Sequence, residues 1–319
     1  MTQIEQLNAI IGFCIKTPGW PHVLSDLGYM IERIELKFSV VDEAGKSRTI
    51  NPDIVLMSEK KNFCLVFESK SGSVQQDCSD QLKRYSIVTK NDLIQKGAVT
   101  SLSPTNLDFN IVLIVNSEHT ESYKQLIVRE KLSTVLTEVN QKKVILIQGQ
   151  FREVETNEVF RQGISIENQF LPMNFIPILP DSSDIETKER VVEAVTAFLS
   201  RKMKTFGLEQ IMDEIFGGGL WSVFDNEAKI ALREKIKVIL KEMCHTEFSK
   251  YIIRRGGDSK NPIEWNLRSH PGSKRTRQFQ ALKKLKVDYI SRLSRGEEYR
   301  GYNPGQDTLF ALLEERETY

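Results

Sequence analysis

Three charged side chains, Asp53, Glu68 and Lys70, interrupt two apolar runs, IVLM at 54–57 and FCLVF at 63–67. Continuous apolar runs of this length read as strands of a sheet covered on both faces. An unpaired carboxylate or ammonium there costs several kcal/mol unless something compensates it. With the polar segment 59–62 as the turn, the runs pair so that 58 faces 63, 56 faces 65 and 53 faces 68. Asp53 and Glu68 then stand opposite each other, and Lys70, two residues on, shares their face. Facing carboxylates repel and lose hydration together. Lys70 neutralises one unit of charge, whereas a divalent cation neutralises both, and hard carboxylate oxygens suit Mg²⁺ or Mn²⁺. The backbone carbonyl of Ser69 offers a further ligand. Lys70 is then placed to orient or deprotonate a water and to stabilise charge on a phosphate.

The elements that must hold these residues follow from periodicity. TQIEQLNAIIGFCI spaces Ile4, Leu7, Ile10, Ile11 and Cys14 as a helix, and IERIELKFSVV alternates as a strand with Ile34, Leu36, Phe38 and Val40 facing one way. DEAGKSR follows as a hairpin turn, then the two apolar strands. SVQQDCSDQLKRYSIVTK reads as a helix, DFNIVLIVNS as a buried strand, ESYKQLIVREKLSTVLTEV as one long helix and KKVILIQGQ as a last strand. The order α-β-β-β-α-β-α-β predicts an α/β domain over 1–175, a mixed sheet flanked by helices.

Pro52-Asp53, fourteen residues, then Glu68-Ser69-Lys70 on paired strands resembles the PD-(D/E)xK nuclease superfamily, whose restriction-endonuclease-like fold has this element order. The next helix carries QLKRY, placing Gln81 and Tyr85 four apart on one face, which is similar to the QxxxY motif of the RecB-like branch. The resemblance implies metal binding by Asp53 and Glu68, assistance to the nucleophilic water by Lys70, and Gln81 and Tyr85 beside the substrate. It also implies an acid from the first helix. Glu5 is the candidate, with Asp26, Glu32 and Glu35 as rivals.

Pro172, Pro177, Pro180 and DSSD at 181–184 predict a linker, after which three helices and a hairpin around GlyGlyAsp (256–258) follow. That order predicts a mainly helical, winged-helix-like domain over 185–319, ending in a basic helix and a polar tail. The net charge of the 319-residue chain is +1, yet residues 250–300 hold fourteen Lys/Arg against five Asp/Glu, which points to a polyanion. Lys229, Arg233 and Lys237 of the third helix, Arg254 and Arg255 of the wing, and Lys274, Arg275 and Arg277 beyond it are the candidate phosphate contacts. Tyr251 and Trp265 read as hairpin core.

Four cysteines without CxxC spacing and four histidines without HxxxH spacing argue against disulfide, zinc or His-based chemistry. No apolar run reaches a membrane span and no leader pattern opens the chain, so the expectation is a cytoplasmic protein. Taken with the resemblance, the expected activity is Mg²⁺-dependent hydrolysis of DNA in antiviral defence, restriction or repair. Double-strand cutting by one site per chain would favour a homodimer. The absence of any nucleotide-hydrolysis motif leaves room for a partner ATPase or recognition protein that activates the chain. The alternative is a non-enzymatic DNA-binding protein that keeps the nuclease-like domain as a scaffold.

Overall fold

The computed structural model describes residues 1–42, 44–95, 99, 107–167, 169, 175–201, 203–217, 219–245, 247–255, 264–267, 284, 287–292 and 295. The chain divides into two compact units, one formed by Met1–Ile176 with Gly219–Lys229, the other by Pro177–Gly218 with the chain from Ile230 onward. Around Pro177, the residues Ile176, Ile178 and Leu179 are buried, and Pro172 lies outside the described residues.

The first unit runs α1 (Gln3–Cys14), α2 (Val23–Asp26), β1 (Met30–Ile34), β2 (Phe38–Val41), β3 (Ser47–Ile50), β4 (Ile54–Ser58), β5 (Phe63–Lys70), α3 (Gln76–Ser86), α4 (Lys90–Gln95), β6 (Asp108–Asn116), α5 (Thr120–Arg129), β7 (Val135–Val139), β8 (Lys143–Gln148), α6 (Val154–Gln162) and β9 (Ile164–Ser165). Seven strands form one mixed sheet in the order β1-β4-β5-β6-β7-β8-β9. Its centre, β5-β6-β7, is parallel and its flanks are antiparallel. Every residue of β4, and of β5 from Phe63 to Ser69, is buried. Each such Leu, Val or Phe contributes about 1.5–3 kcal/mol, which offsets the cost of carboxylates in the same strands. Ile54 pairs with Phe67, Leu56 with Leu65 and Ser58 with Phe63, the register read from the 59–62 turn.

Two expected elements are divided. The strand over 31–41 breaks at Glu35, whose backbone is left-handed (φ 55). β1 goes on to pair with β4, while β2 and β3 form a separate ribbon around Asp42, whose carboxylate accepts from the N–H groups of Ala44 and Lys46. The long helix over 121–139 stops at Arg129. Lys131 takes the left-handed conformation (φ 52), its N–H donates to Val128 O, and the N–H of Leu132 donates to Ile127 O. This is the Schellman stop, and the β-branched stretch after it becomes β7. Sequence reading also passed over α2, α4, α6, β3 and β9.

The second unit contains α7 (Asp184–Ser200), β10 (Thr205–Gly207) and α8 (Leu208–Phe216). α9 (Leu220–Val223) lies in the segment assigned to the first unit, where Phe224 bridges Ile34 and Asp225 N donates to Ile34 O. α10 (Asn226–Met243), β11 (Ile252–Arg255) and β12 (Glu264–Leu267) follow, and the three strands order as β10-β12-β11. Trp265, fully buried, stacks on Phe206 at 5.7 Å, and Tyr251 is buried as well, so both serve the core as expected. Among the described residues no helix is long and apolar enough to cross a membrane.

Candidate active site

Asp53 precedes β4 and Glu68 lies near the end of β5, 4% and 2% exposed. The register carries Asp53 to the position facing Glu68. Asp53 Oδ2 accepts from the N–H of Ser69 at 2.6 Å and Oδ1 from Gln3 Nε2 at 3.0 Å. Glu68 Oε1 accepts from Lys70 Nζ at 2.7 Å and from Gln81 Nε2 at 2.7 Å, and Oε2 accepts from the Tyr85 hydroxyl. The four-residue spacing on α3 therefore brings Gln81 and Tyr85 to one carboxylate. Tyr85 also packs with Val55, Met57, Cys64 and Val66 on that face, which fixes α3 over the end of β5.

Ser69 points to the other face of the sheet. There its hydroxyl donates to Gln6 Oε1, while Gln6 Nε2 donates to Asn116 Oδ1 at 2.8 Å. Asn116 Nδ2 in turn donates to Ser71 O and Met1 O, both at 2.8 Å. Two helices on opposite faces thus grip the end of β5.

Burial raises the Asp53 carboxyl well above the ordinary carboxylate range, and the charges of Glu68 and Glu35 raise it further. The Ser69 N–H and Lys70 oppose this shift without cancelling it. Burial of Lys70 works to lower its pKa, but the Glu68 charge, the hydrogen bond to Glu68 and the Asp53 charge outweigh it, so the net shift is upward. Lys70 is therefore an ammonium at neutral pH, suited to stabilising charge and orienting a water. That upward direction disfavours the neutral amine which a deprotonating role would need. The Tyr85 phenol is raised by burial and then by Glu68 and Asp53, and it stays a donor.

Glu5 does not join the pair. Its carboxylate accepts from Thr2 N at 2.8 Å and completes the capping box of α1. The first helix reaches the site through Gln3 and Gln6 instead. Among the rival acids, Glu35 acts electrostatically on Asp53 and Tyr85, and its N–H donates to Asp53 O at 2.9 Å. Glu5→Gln is expected to weaken the cap by about 1 kcal/mol or less and to leave activity within twofold, read from urea melts beside a cleavage assay. A loss of activity above tenfold would return Glu5 to the site.

Among the described residues no three His, Cys, Asp or Glu side chains gather as a metal set. Two carboxylates do, and their chemistry fits a hard cation. The pair sets two carboxylates against the single ammonium of Lys70, and burial with the Glu68 charge pushes the Asp53 carboxyl upward, the direction expected where a divalent ion would neutralise the excess. Such an ion would rest on Asp53 and Glu68. The N–H and hydroxyl of Ser69 are both engaged, which leaves its carbonyl as the atom to add.

Three of the eight candidate phosphate contacts have partners within the chain. Arg233 forks onto Glu209 at 2.7 and 2.9 Å, Lys237 pairs with Glu234 at 3.0 Å, and Lys229 donates to Ser222 O while lying 5.8 Å from the Trp221 ring centre. Arg254 and Arg255 are exposed on β11, and Arg255 faces Glu264 across the hairpin. Lys274, Arg275 and Arg277 lie outside the described residues.

The family model of the MJECL32 domain matches residues 2–176, a span that coincides with the main segment of the first unit. The chain belongs to the MJECL32 domain family. No curated protein and no solved structure matches it.

Proposed function

We propose that the first unit is a metal-dependent nuclease of the PD-(D/E)xK kind. The observation that carries this reading is the buried Asp53–Glu68 pair at neighbouring strand ends, with Lys70, Gln81 and Tyr85 all bonded to Glu68. A structural ion pair would need only Glu68 and Lys70. A second acid at the same depth, raised by burial and by its neighbour, is a cost to the fold that calls for a use. Bound Mg²⁺ or Mn²⁺ would polarise a phosphodiester and activate a water. Lys70 then stabilises negative charge on the phosphate, Gln81 and Tyr85 hold Glu68 in place, and Gln3 and Ser69 hold Asp53. The proposed substrate is DNA, and the setting restriction, defence or repair.

The second unit is proposed as a winged helix. Three helices followed by a hairpin, with a strand from between the first two helices completing the sheet, support that reading. Exposed ion pairs such as Lys237–Glu234 contribute about 0–1 kcal/mol, so phosphate can displace the acid partner.

A latent subunit, awaiting a partner ATPase or recognition protein, is the second reading. It is favoured by the engagement of both Glu68 oxygens, which must release donors before they take a cation. The test is incubation with supercoiled and linear plasmid in Mg²⁺, Mn²⁺ or EDTA, beside Glu68→Gln. Metal-dependent cutting lost in the variant supports the nuclease. Intact DNA in every metal, together with Mg²⁺-dependent stabilisation of the wild type alone, supports the latent subunit. Intact DNA with no response of stability to metal defeats both.

A further inference from the structure

All four carboxylate oxygens of the Asp53–Glu68 pair carry a donor: Gln3 and the Ser69 N–H on Asp53, Lys70, Gln81 and Tyr85 on Glu68. The Ser69 N–H and the Lys70 ammonium can only donate, and the buried Tyr85 phenol keeps its proton. A glutamine amide is two-ended. Its N–H₂ and its carbonyl exchange places by a half-turn of the last side-chain torsion, which is broad and roughly two-fold. Three glutamines bond to Asp53, Glu68 or Ser69, and their other ends tell them apart. Gln6 is fully buried and held at both ends, with Nε2 donating to Asn116 Oδ1 at 2.8 Å and Oε1 accepting from the Ser69 hydroxyl. Gln3, the first residue of α1, and Gln81, midway along α3, are half-buried, and they donate through Nε2 to Asp53 at 3.0 Å and to Glu68 at 2.7 Å. Among the described residues the Oε1 atoms of Gln3 and Gln81 accept no hydrogen bond. An uncommitted carbonyl thus stands beside each carboxylate.

Beside bare carboxylates the N–H₂ end is the favourable one to present. Beside a cation it is the unfavourable one, because the positive end of the amide dipole then faces positive charge. The carbonyl end is a hard oxygen of the kind that suits Mg²⁺ or Mn²⁺. We infer that Gln3 and Gln81 are neutral metal ligands of this site, each turning its amide to give Oε1 in place of Nε2, alongside Asp53, Glu68 and the Ser69 carbonyl. The rotation also takes the amide donors off Asp53 Oδ1 and Glu68 Oε1, while the Ser69 N–H and Tyr85 keep hold of the other two oxygens. Neutral amides add oxygen without adding charge to a pair whose burial is already costly.

This assignment rests on the metal-dependent reading of the same site, and its test separates the two. Mn²⁺ is titrated into the full chain without DNA and the free ion read by electron paramagnetic resonance, for wild type, Gln3→Met, Gln81→Met, Gln3→Glu and Gln81→Glu. Thermal melts check that each variant is folded. Methionine keeps the length of the side chain and removes both amide ends. Loss of a glutamine that only donated would leave its carboxylate freer for the ion, and Mn²⁺ would bind as tightly or more so. Loss of a ligand should weaken binding at least about tenfold, since even groups one step removed from a metal are worth about 10–100-fold. That weakening is expected in both methionine variants, whereas the glutamates, which keep an oxygen and cannot donate, should bind at least as tightly as wild type. A second reading needs no variant: Mg²⁺ should shift the side-chain carbonyl ¹³C resonances of Gln3 and Gln81 more than that of Gln6. Undiminished Mn²⁺ binding in either methionine variant overturns the assignment of that glutamine, and in both it overturns the inference. Plasmid cutting by the wild type alongside that result leaves the nuclease standing without these ligands. Glutamine-dependent Mn²⁺ binding in a protein that never cuts leaves the ligands standing without the nuclease. A wild type that binds no Mn²⁺ overturns both.

Discussion

Asp53→Asn is expected to make the metal-free protein more stable at neutral pH while abolishing cleavage. Burial, and then the charges of Glu68 and Glu35, hold the Asp53 carboxyl well above its ordinary value. The folded protein keeps a proton that the unfolded chain releases once pH passes about 4. Wild-type stability therefore falls as pH rises from that point, by at most about 1.4 kcal/mol per pH unit, and stops falling above the folded-state pKa. Asparagine has no proton to release, and its carbonyl still accepts from Ser69 N–H. The two proteins should melt together near pH 4 and separate as pH rises, each kcal/mol shifting Tm by about 2–4 °C in a domain of this size. Mg²⁺ should narrow the gap, because a ligand bound only by the folded state at a hundred times its Kd adds about 2.7 kcal/mol, and the variant offers it one carboxylate fewer. Melting curves across pH, with and without Mg²⁺, read both effects. A variant that melts with the wild type at every pH would show that Asp53 carries no burial penalty, and the chief physical argument for a cation would go with it.

The cost of burying Asp53 and Glu68 explains which parts of the candidate site were legible. Asp53, Glu68 and Lys70 stood out because charge in a doubly apolar hairpin has a cost that composition alone reveals, and a two-fold strand period turns numbering into facing pairs. Gln81 and Tyr85 were legible for the corresponding reason on a helix. Gln3 and Gln6 were not, because a neutral amide in an amphipathic helix carries no such cost on paper. The one available signal was Gln6 and Asn8 beside Leu7 and Ile10 in a helix whose residues from Gln6 to Cys14 are all buried. Asn116 was marked only by its place, a polar residue ending an apolar parallel strand. The stop at Lys131 was hidden because that left-handed position usually holds glycine, and a lysine there reads as continued helix. The acidic partner of Arg233 was not legible, since Glu209 comes from another helix, whereas Glu234 stands three residues from Lys237 in α10 itself.

Lys70→Ala should lower both activity and stability, the reverse of Asp53→Asn for the second quantity. The Glu68 side chain is 3% exposed and that of Lys70 is 23% exposed, with the two 2.7 Å apart. Removing one partner of a fully buried pair costs about 3–5 kcal/mol. Partial exposure of Lys70 lets water take up some of the loss, and Gln81 and Tyr85 still donate to Glu68, so about 1–3 kcal/mol is expected here. Lys70→Met separates charge from packing, since it keeps most of the apolar stem, and it should lose nearly as much. Because the Lys70 pKa is raised, its stabilising contribution is complete below its ordinary value near 10.4 and is lost only as pH climbs through the folded-state value. Within the neutral range the deficit of either variant should therefore be flat with pH, unlike that of Asp53. Cleavage should fall by about 10²–10³, the loss typical of a removed charge-stabilising donor, and wild-type cleavage should not climb as pH approaches the Lys70 pKa, as it would if Lys70 had to deprotonate to act as a base. A double-mutant cycle with Glu68→Gln completes the case. If Lys70 acts through Glu68 and the ion they flank, the two losses overlap and the double variant is little worse than the worse single one. Strict additivity in urea-melt stabilities would mean that the 2.7 Å pair is not energetically coupled, and Lys70 would then be an ordinary surface cation at a strand end.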